Sequence, residues 1–205
     1  PYNPRVNARV AAGFEHSLVI DGGQVWAWGS NLNGQTGTIE KNYDSAPVRV
    51  KNLNNIIALA KGSAANHCLA LSENGTIWGW GDNEYGQLGL GDNEIVNTNT
   101  PIMVEKVFGV VALSAGRRHS LALKDDGTVW TWGDNTYGQL GHVSQTKSNL
   151  PKKIYGLNDI VAVEAGYNHS MALKKDGTVW TWGKNTNGQL GVGNQKNTNK
   201  PVQVE

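Results

Sequence analysis

The sequence predicts an all-β protein in which four four-stranded antiparallel units stack as blades of a β-propeller. The blades form either a partial propeller or a ring completed by a second copy. Three observations carry this expectation. All eight tryptophans fall into W-x-W pairs at near-constant spacing. The 205 residues include 26 Gly and 23 Asn, a heavy load of turn formers. The apolar runs alternate with the two-residue period of strands, and no amphipathic helix is evident.

The pairs are Trp26 and Trp28, Trp78 and Trp80, Trp130 and Trp132, and Trp180 and Trp182. Each is followed by Gly (Gly29, Gly81, Gly133, Gly183), then by Asn two residues on (Asn31, Asn83, Asn135, Asn185). Gly-Gln comes next, at Gly34-Gln35, Gly86-Gln87, Gly138-Gln139 and Gly188-Gln189. One domain over residues 1–205 therefore divides into repeat units of about 50 residues, 1–50, 51–104, 105–154 and 155–205.

Within a unit the first strand precedes a Gly-x-x-His corner, as at residues 160–163. The second starts at the His, as in His119-Ser-Leu-Ala-Leu. Asp126-Gly127, Asp176-Gly177, Asn74-Gly75 and Gly22-Gly23 then mark hairpins, because these dipeptides tolerate positive φ. The third strand carries the Trp pair on one face. The fourth follows Pro47, Pro101, Pro151 or Pro201, as at residues 202–204, since Pro is tolerated at a strand start. Both faces of a unit are apolar, so no unit can bury itself alone. The Trp pairs read as packing between blades, each buried ring stabilising by several kcal/mol (~25 cal/mol per Å² over up to ~250 Å²).

Composition excludes several functions. A formal net charge of +1 argues against a nucleic-acid surface built on bulk positive potential. A lone cysteine, Cys68, excludes a disulfide framework and a cysteine-based zinc cluster. No apolar stretch approaches membrane-spanning length, and residues 1–10 do not read as a signal peptide. The segment G-x-x-G-Q-L-G precedes no helix, so it is not a phosphate-binding loop. The glycosylation patterns at Asn74 and Asn168 lie in the repeat frame and read as coincidental. No cofactor is implied.

With the motif complete, A-G-x-x-H-S-L-A-L followed by W-x-W-G-x-N-x-x-G-Q-L-G resembles the repeat of the regulator of chromosome condensation family. The likeness covers essentially the whole chain, four times. Full members typically form seven-bladed propellers, so the resemblance implies that this chain is a fragment or module of a larger protein. A ring of two copies and an unusual four-bladed ring are the alternatives. The second unit also departs from the pattern, with a corner two residues longer (Gly62 to His67), expected to bulge at one mouth. Some eukaryotic relatives are guanine-nucleotide exchange factors that dock on chromatin, and a similar bacterial propeller inhibits β-lactamases by protein–protein contact. The inserted wedge needed for exchange has no counterpart in these short loops. Low basicity and near-identical repeats fit a bacterial setting, with an extracellular or cell-surface location favoured.

His16, His67, His119 and His169 hold equivalent positions and read as structural corner residues bonded to backbone, not as a metal ring or a catalytic set. Neighbouring His and Ser on one strand point to opposite faces, so the pair does not place a base beside a hydroxyl. His142, outside the repeat, is expected in a solvated loop. Asp82 and Asp134 share a variable slot with Ser30 and Lys184 and read as surface turns. No enzyme is predicted.

In a repeat scaffold the shared residues build the frame and the differing ones carry recognition. Candidate partner-binding residues are therefore Phe14, Glu15, Arg117, Arg118, Tyr167 and Asn168 in the corners. Tyr85 and Tyr137 join them from the loops before Gly-Gln. The long loops at 38–46, 90–100, 142–150 and 192–200 are polar and solvated. The leading expectation is a non-catalytic scaffold for a protein partner, with self-association as an added possibility. A secreted carbohydrate or cell-wall module, using Tyr85, Tyr137 and Tyr167 to stack on sugars, is the alternative. Nucleotide exchange ranks behind both, and neither nucleic acid nor membrane is an expected partner.

Overall fold

The computed structural model describes residues 9–39, 42–92, 94–143 and 146–205. Residues 1–8 of the first unit and of the leader reading fall outside them, as do 40–41, 93 and 144–145 of the long loops. Four separate four-stranded antiparallel sheets make up the fold. The first contains β1 (Val10–Ala12), β2 (His16–Asp21), β3 (Gln24–Ser30) and β4 (Tyr43–Arg49). The second contains β5 (Ile56–Leu59), β6 (His67–Ser72), β7 (Ile77–Asp82) and β8 (Asn97–Val104). The third contains β9 (Val110–Ala115), β10 (His119–Lys124), β11 (Val129–Asp134) and β12 (Lys147–Lys153). The fourth contains β13 (Ile160–Ala165), β14 (His169–Lys174), β15 (Val179–Gly183) and β16 (Thr198–Gln203). Each is a simple meander, as the repeat predicts.

First strands of successive sheets approach one another, β5 to β9 and β9 to β13, with a parallel bridge from Lys61 to Ser114. They therefore line the shared axis, and the fourth strands face outward. The four blades form an open arc, not a closed ring.

Burial explains why the blades stack. Three apolar clusters each lie between two successive blades. In the middle one, Leu69, Leu71 and Ile77 of the second blade meet Ala122 and Trp132 of the third. Trp80, Trp132 and Trp182 are fully buried in these interfaces. Trp28, whose face meets no preceding blade among the described residues, is only half-buried.

Two local expectations change. The prolines do not start the fourth strands. They lie inside them, where the register shifts opposite the second Trp, for example between Thr131 and Gly133. A bulge is where a strand tolerates a residue without an N–H donor. The hairpins also differ in type. Gly22-Gly23, both at positive φ, close a two-residue turn between Asp21 and Gln24. In the later blades Gly75, Gly127 and Gly177 take positive φ after a turn that begins one residue earlier. There the preceding Asp or Asn caps the backbone instead, as Asp126 Oδ1 accepts from Thr128 N at 3.0 Å.

Candidate functional site

The repeated motif builds a polar ladder between blades. The Gln87 carbonyl accepts from Trp132 Nε1 at 2.7 Å and from Ser120 Oγ at 2.7 Å, both in the next blade. The Gln139 carbonyl does the same for Trp182 Nε1 and Ser170 Oγ, at 2.8 and 2.9 Å. At the first interface Gln35 O accepts from Trp80 Nε1 at 2.8 Å, and Cys68 Sγ, standing in the Ser position, lies at 3.6 Å. Each Gln side chain accepts from the backbone two residues before it, as from Tyr85 N at 2.8 Å. The Asn of each repeat accepts from the backbone five residues ahead, as Asn135 Oδ1 does from Leu140 N at 3.0 Å. The Gly before Gln is obligatory because a Cβ at Gly86 or Gly138 would strike the next blade at Asn149 or Asn199.

The histidines join the same ladder. His67 Nε2 lies 2.8 Å from Ser120 Oγ, and His119 Nε2 lies 3.0 Å from Ser170 Oγ. His16 Nε2 is 3.2 Å from Cys68 Sγ. The expected backbone partner is thus replaced by a side chain of the following blade. A base does sit beside a hydroxyl after all, across the interface. The pair is inert, however. Ser120 gives its one proton to Gln87, so His67 Nε2 must donate, leaving Nδ1 as a buried lone pair without a partner. Both residues are buried from substrate. Burial, followed by the charges of His119 and His16, pushes His67 down to about 3, so the ring stays neutral. The Gly-x-x-His spacing follows from packing, since a Cβ on Gly13, Gly116 or Gly166 would overlap the His ring.

The candidate partner-binding residues converge on one mouth. The corner carbonyls of Glu15, Arg118 and Asn168 accept from the residues after Trp-Gly, Ser30, Asp134 and Lys184. That places corners and Gly-Gln loops at the same end of every blade. Arg118 lies over the Tyr85 ring of the preceding blade at 4.1 Å and 3.8 Å from the Glu84 carboxylate. Arg117 lies over the Tyr167 ring of the following blade at 5.0 Å. Lys184 covers Tyr137 at 5.1 Å. Such contacts contribute ~0.5–1 kcal/mol each at exposed sites and hold the side chains in place. Phe14 is 59% exposed and Tyr167 49% exposed, so both present apolar surface there. Glu15 is exposed, whereas Tyr85 and Tyr137 are half-buried.

Several expected placements differ. Asn168 is buried, with its carbonyl engaged by Lys184 N at 2.9 Å, and so belongs to the frame. Asp134 is likewise buried and held by Gln139 Nε2 at 2.9 Å. The long second corner does not simply bulge outward: Ala65 is buried and its carbonyl receives Phe14 N at 2.9 Å. His142 is half-buried beside a groove, both ring nitrogens shielded. Lys184, which reads from the sequence as a surface turn, is a mouth residue, and exposed Leu32 of the variable pair before Gly-Gln lies at the same end. The variable slot after Trp-Gly was the available signal for Lys184. Among the described residues no His, Cys, Asp and Glu cluster could hold a metal.

Blades tied by one recurring ladder, with side chains that differ from blade to blade gathered at a single mouth, define a tandem-repeat β-propeller of the protein-interaction class. A family model described as RCC1-like domain matches residues 2–205. The chain belongs to this family. It is 40% identical over 152 residues to human "Probable E3 ubiquitin-protein ligase HERC6", covering 71% of this chain and 15% of that protein. Human "E3 ubiquitin-protein ligase HERC2" is 34% identical over 148 residues, 70% of this chain and 3% of that one. The chain thus spans a small part of these curated relatives. Among solved structures, Prp20p from Saccharomyces cerevisiae, described with its binding to Gsp1p and histones, is 27% identical. It superposes with TM-score 0.84 over 96% of this chain and 50% of its own. Human WBSCR16 gives 0.83 at 28% identity, over 97% and 52%.

Proposed function

We propose that the chain is a non-catalytic scaffold that binds a protein partner across this mouth. The observation that carries the reading is the fixed Arg–Tyr arrangement, Arg118 on Tyr85 and Arg117 on Tyr167, with Phe14 exposed at the equivalent corner of the first blade. Arg and aromatic side chains ordered before contact are the usual hot spots of protein interfaces. The binding of Prp20p to Gsp1p and histones, and a complex of yeast RCC1 with Kap60, support a protein ligand. The test is a stoichiometric partner recovered with the chain. Arg117→Ala with Arg118→Ala should weaken its binding by about tenfold or more at unchanged thermal stability. Binding indifferent to both changes overturns the mouth as the site. Glycan binding lost on changing Tyr85, Tyr137 and Tyr167 would instead favour the carbohydrate module, and stimulated nucleotide release from a GTPase the exchange factor.

A second reading is head-to-tail association of copies through the faces of the first and fourth blades, which meet no further blade among the described residues. Trp28 Nε1 and Ser17 Oγ present unused donors at one end among the described residues. At the other end the Gln189 carbonyl and the His169 ring have no partner among the described residues. Met171, 37% exposed, marks the apolar side of that last face. Such an interface is heterologous. Trp28→Arg and Met171→Arg should each leave monomers by light scattering, while their mixture forms one dimer. A wild-type chain that stays monomeric at high concentration overturns it.

A further inference from the structure

We infer that the outer groove between the third and fourth blades binds an acidic polypeptide segment. The groove has a volume of about 770 Å³ and lies away from the mouth, lined by none of the mouth residues. Its floor is apolar and aromatic: Trp130, Trp180, Leu157, Pro151 and Pro201. Lys152, Lys153 and Lys200 stand around that floor, and no carboxylate lines it. None of the three is in an ion pair among the described residues. His142 also lines it, its two shielded ring nitrogens lacking a partner among the described residues.

The neighbouring interface supplies an internal control, because the repeat puts equivalent positions on the same frame. Where the third interface has His142, Lys152, Lys153 and Lys200, the second has Leu90, Ile102, Met103 and Leu150. The second groove also carries three carboxylates, Asp92, Glu94 and Glu105, against one cation, Lys106. Packing of the frame therefore does not require lysines at these positions. The third interface replaces apolar groups by cations around an unchanged Trp and Pro framework, where lysine charges repel one another unless an anion joins them. Carboxylates on an extended segment would meet the lysines while its apolar side chains lie on the indoles and prolines. A nucleic acid would need a longer basic track than three lysines in one groove provide.

The experiment uses the full chain and a fluorescein-labelled peptide of Glu residues interspersed with Leu, read by fluorescence anisotropy. Controls are the same peptide with Gln for each Glu and a labelled oligothymidylate of equal charge. Saturable binding to the Glu peptide is expected, at least about tenfold tighter than to either control. Lys152→Glu, Lys153→Glu and Lys200→Glu together should weaken it by about tenfold or more. Glu105→Lys in the neighbouring groove should not weaken it, nor should Arg117→Ala with Arg118→Ala, which separates this site from the mouth. No saturation below about 1 mM, equal binding of the oligothymidylate, or indifference to the lysine reversals overturns the proposal.

Discussion

Replacing Trp132 by Ala is expected to lower the unfolding free energy by ~3–5 kcal/mol, whereas Trp28→Ala should cost a minor fraction of that. Both hold the same place in the repeat, opposite their His-bearing strand. They differ in what lies beyond. Trp132 is fully buried against Leu69, Leu71 and Ile77 of the preceding blade and donates to Gln87 O at 2.7 Å. Trp28 meets no preceding blade among the described residues and stays half-buried. Trp132→Phe should keep most of the packing and lose ~1 kcal/mol with the hydrogen bond, as Ser120 still donates to the carbonyl. Urea unfolding of the three variants gives the measurement. Equal losses at Trp28 and Trp132 would show that the pairs stabilise their own sheet rather than the interface.

Acid should unfold this protein well above the pH at which carboxylates protonate. Burial lowers His67 and His119 to about 3 and His16 to about 4, against 6.5 for an exposed imidazole. In that window the unfolded chain binds protons that the native chain refuses. The native contribution is therefore complete above pH ~6.5 and is lost as pH falls through the window toward 3. Each ring adds up to ~1.4 kcal/mol per pH unit, so three together reach ~4 kcal/mol per unit. The cause is local: a proton on Nδ1 finds no acceptor in any of the three sites. Urea midpoints should be flat from pH 8 to about 7 and fall steeply below about 6. A midpoint unchanged at pH 5 would show that the rings can be charged in place.

Much of the frame was legible in the sequence because a repeat reports its own constraints. A residue that recurs at one position of every unit marks a contact that the frame reuses wherever a neighbouring blade is in place, and this singles out Trp, His, Gln and Gly from the sequence alone. The contacts themselves were less legible. The repeat pattern points to a backbone partner for His67, because its real partner, Ser120, lies a full repeat away. Asn168 and Tyr167 are adjacent in sequence, yet one is buried and the other exposed, since the corner turns one side chain into the sheet. The pairing of Arg118 with Tyr85 links two variable positions of different blades, for which periodicity carries no signal.

Sequence alone determined the all-β blades, their number and the Trp-based packing. Period-two alternation and recurring turn residues act over a few neighbours, and copying them four times removes ambiguity. Only the tertiary structure decided that each blade completes the hydrogen bonds of the one before it. It alone placed three lysines around one inter-blade groove. Those features depend on the distance between residues about 50 positions apart, which stacking sets and local sequence does not.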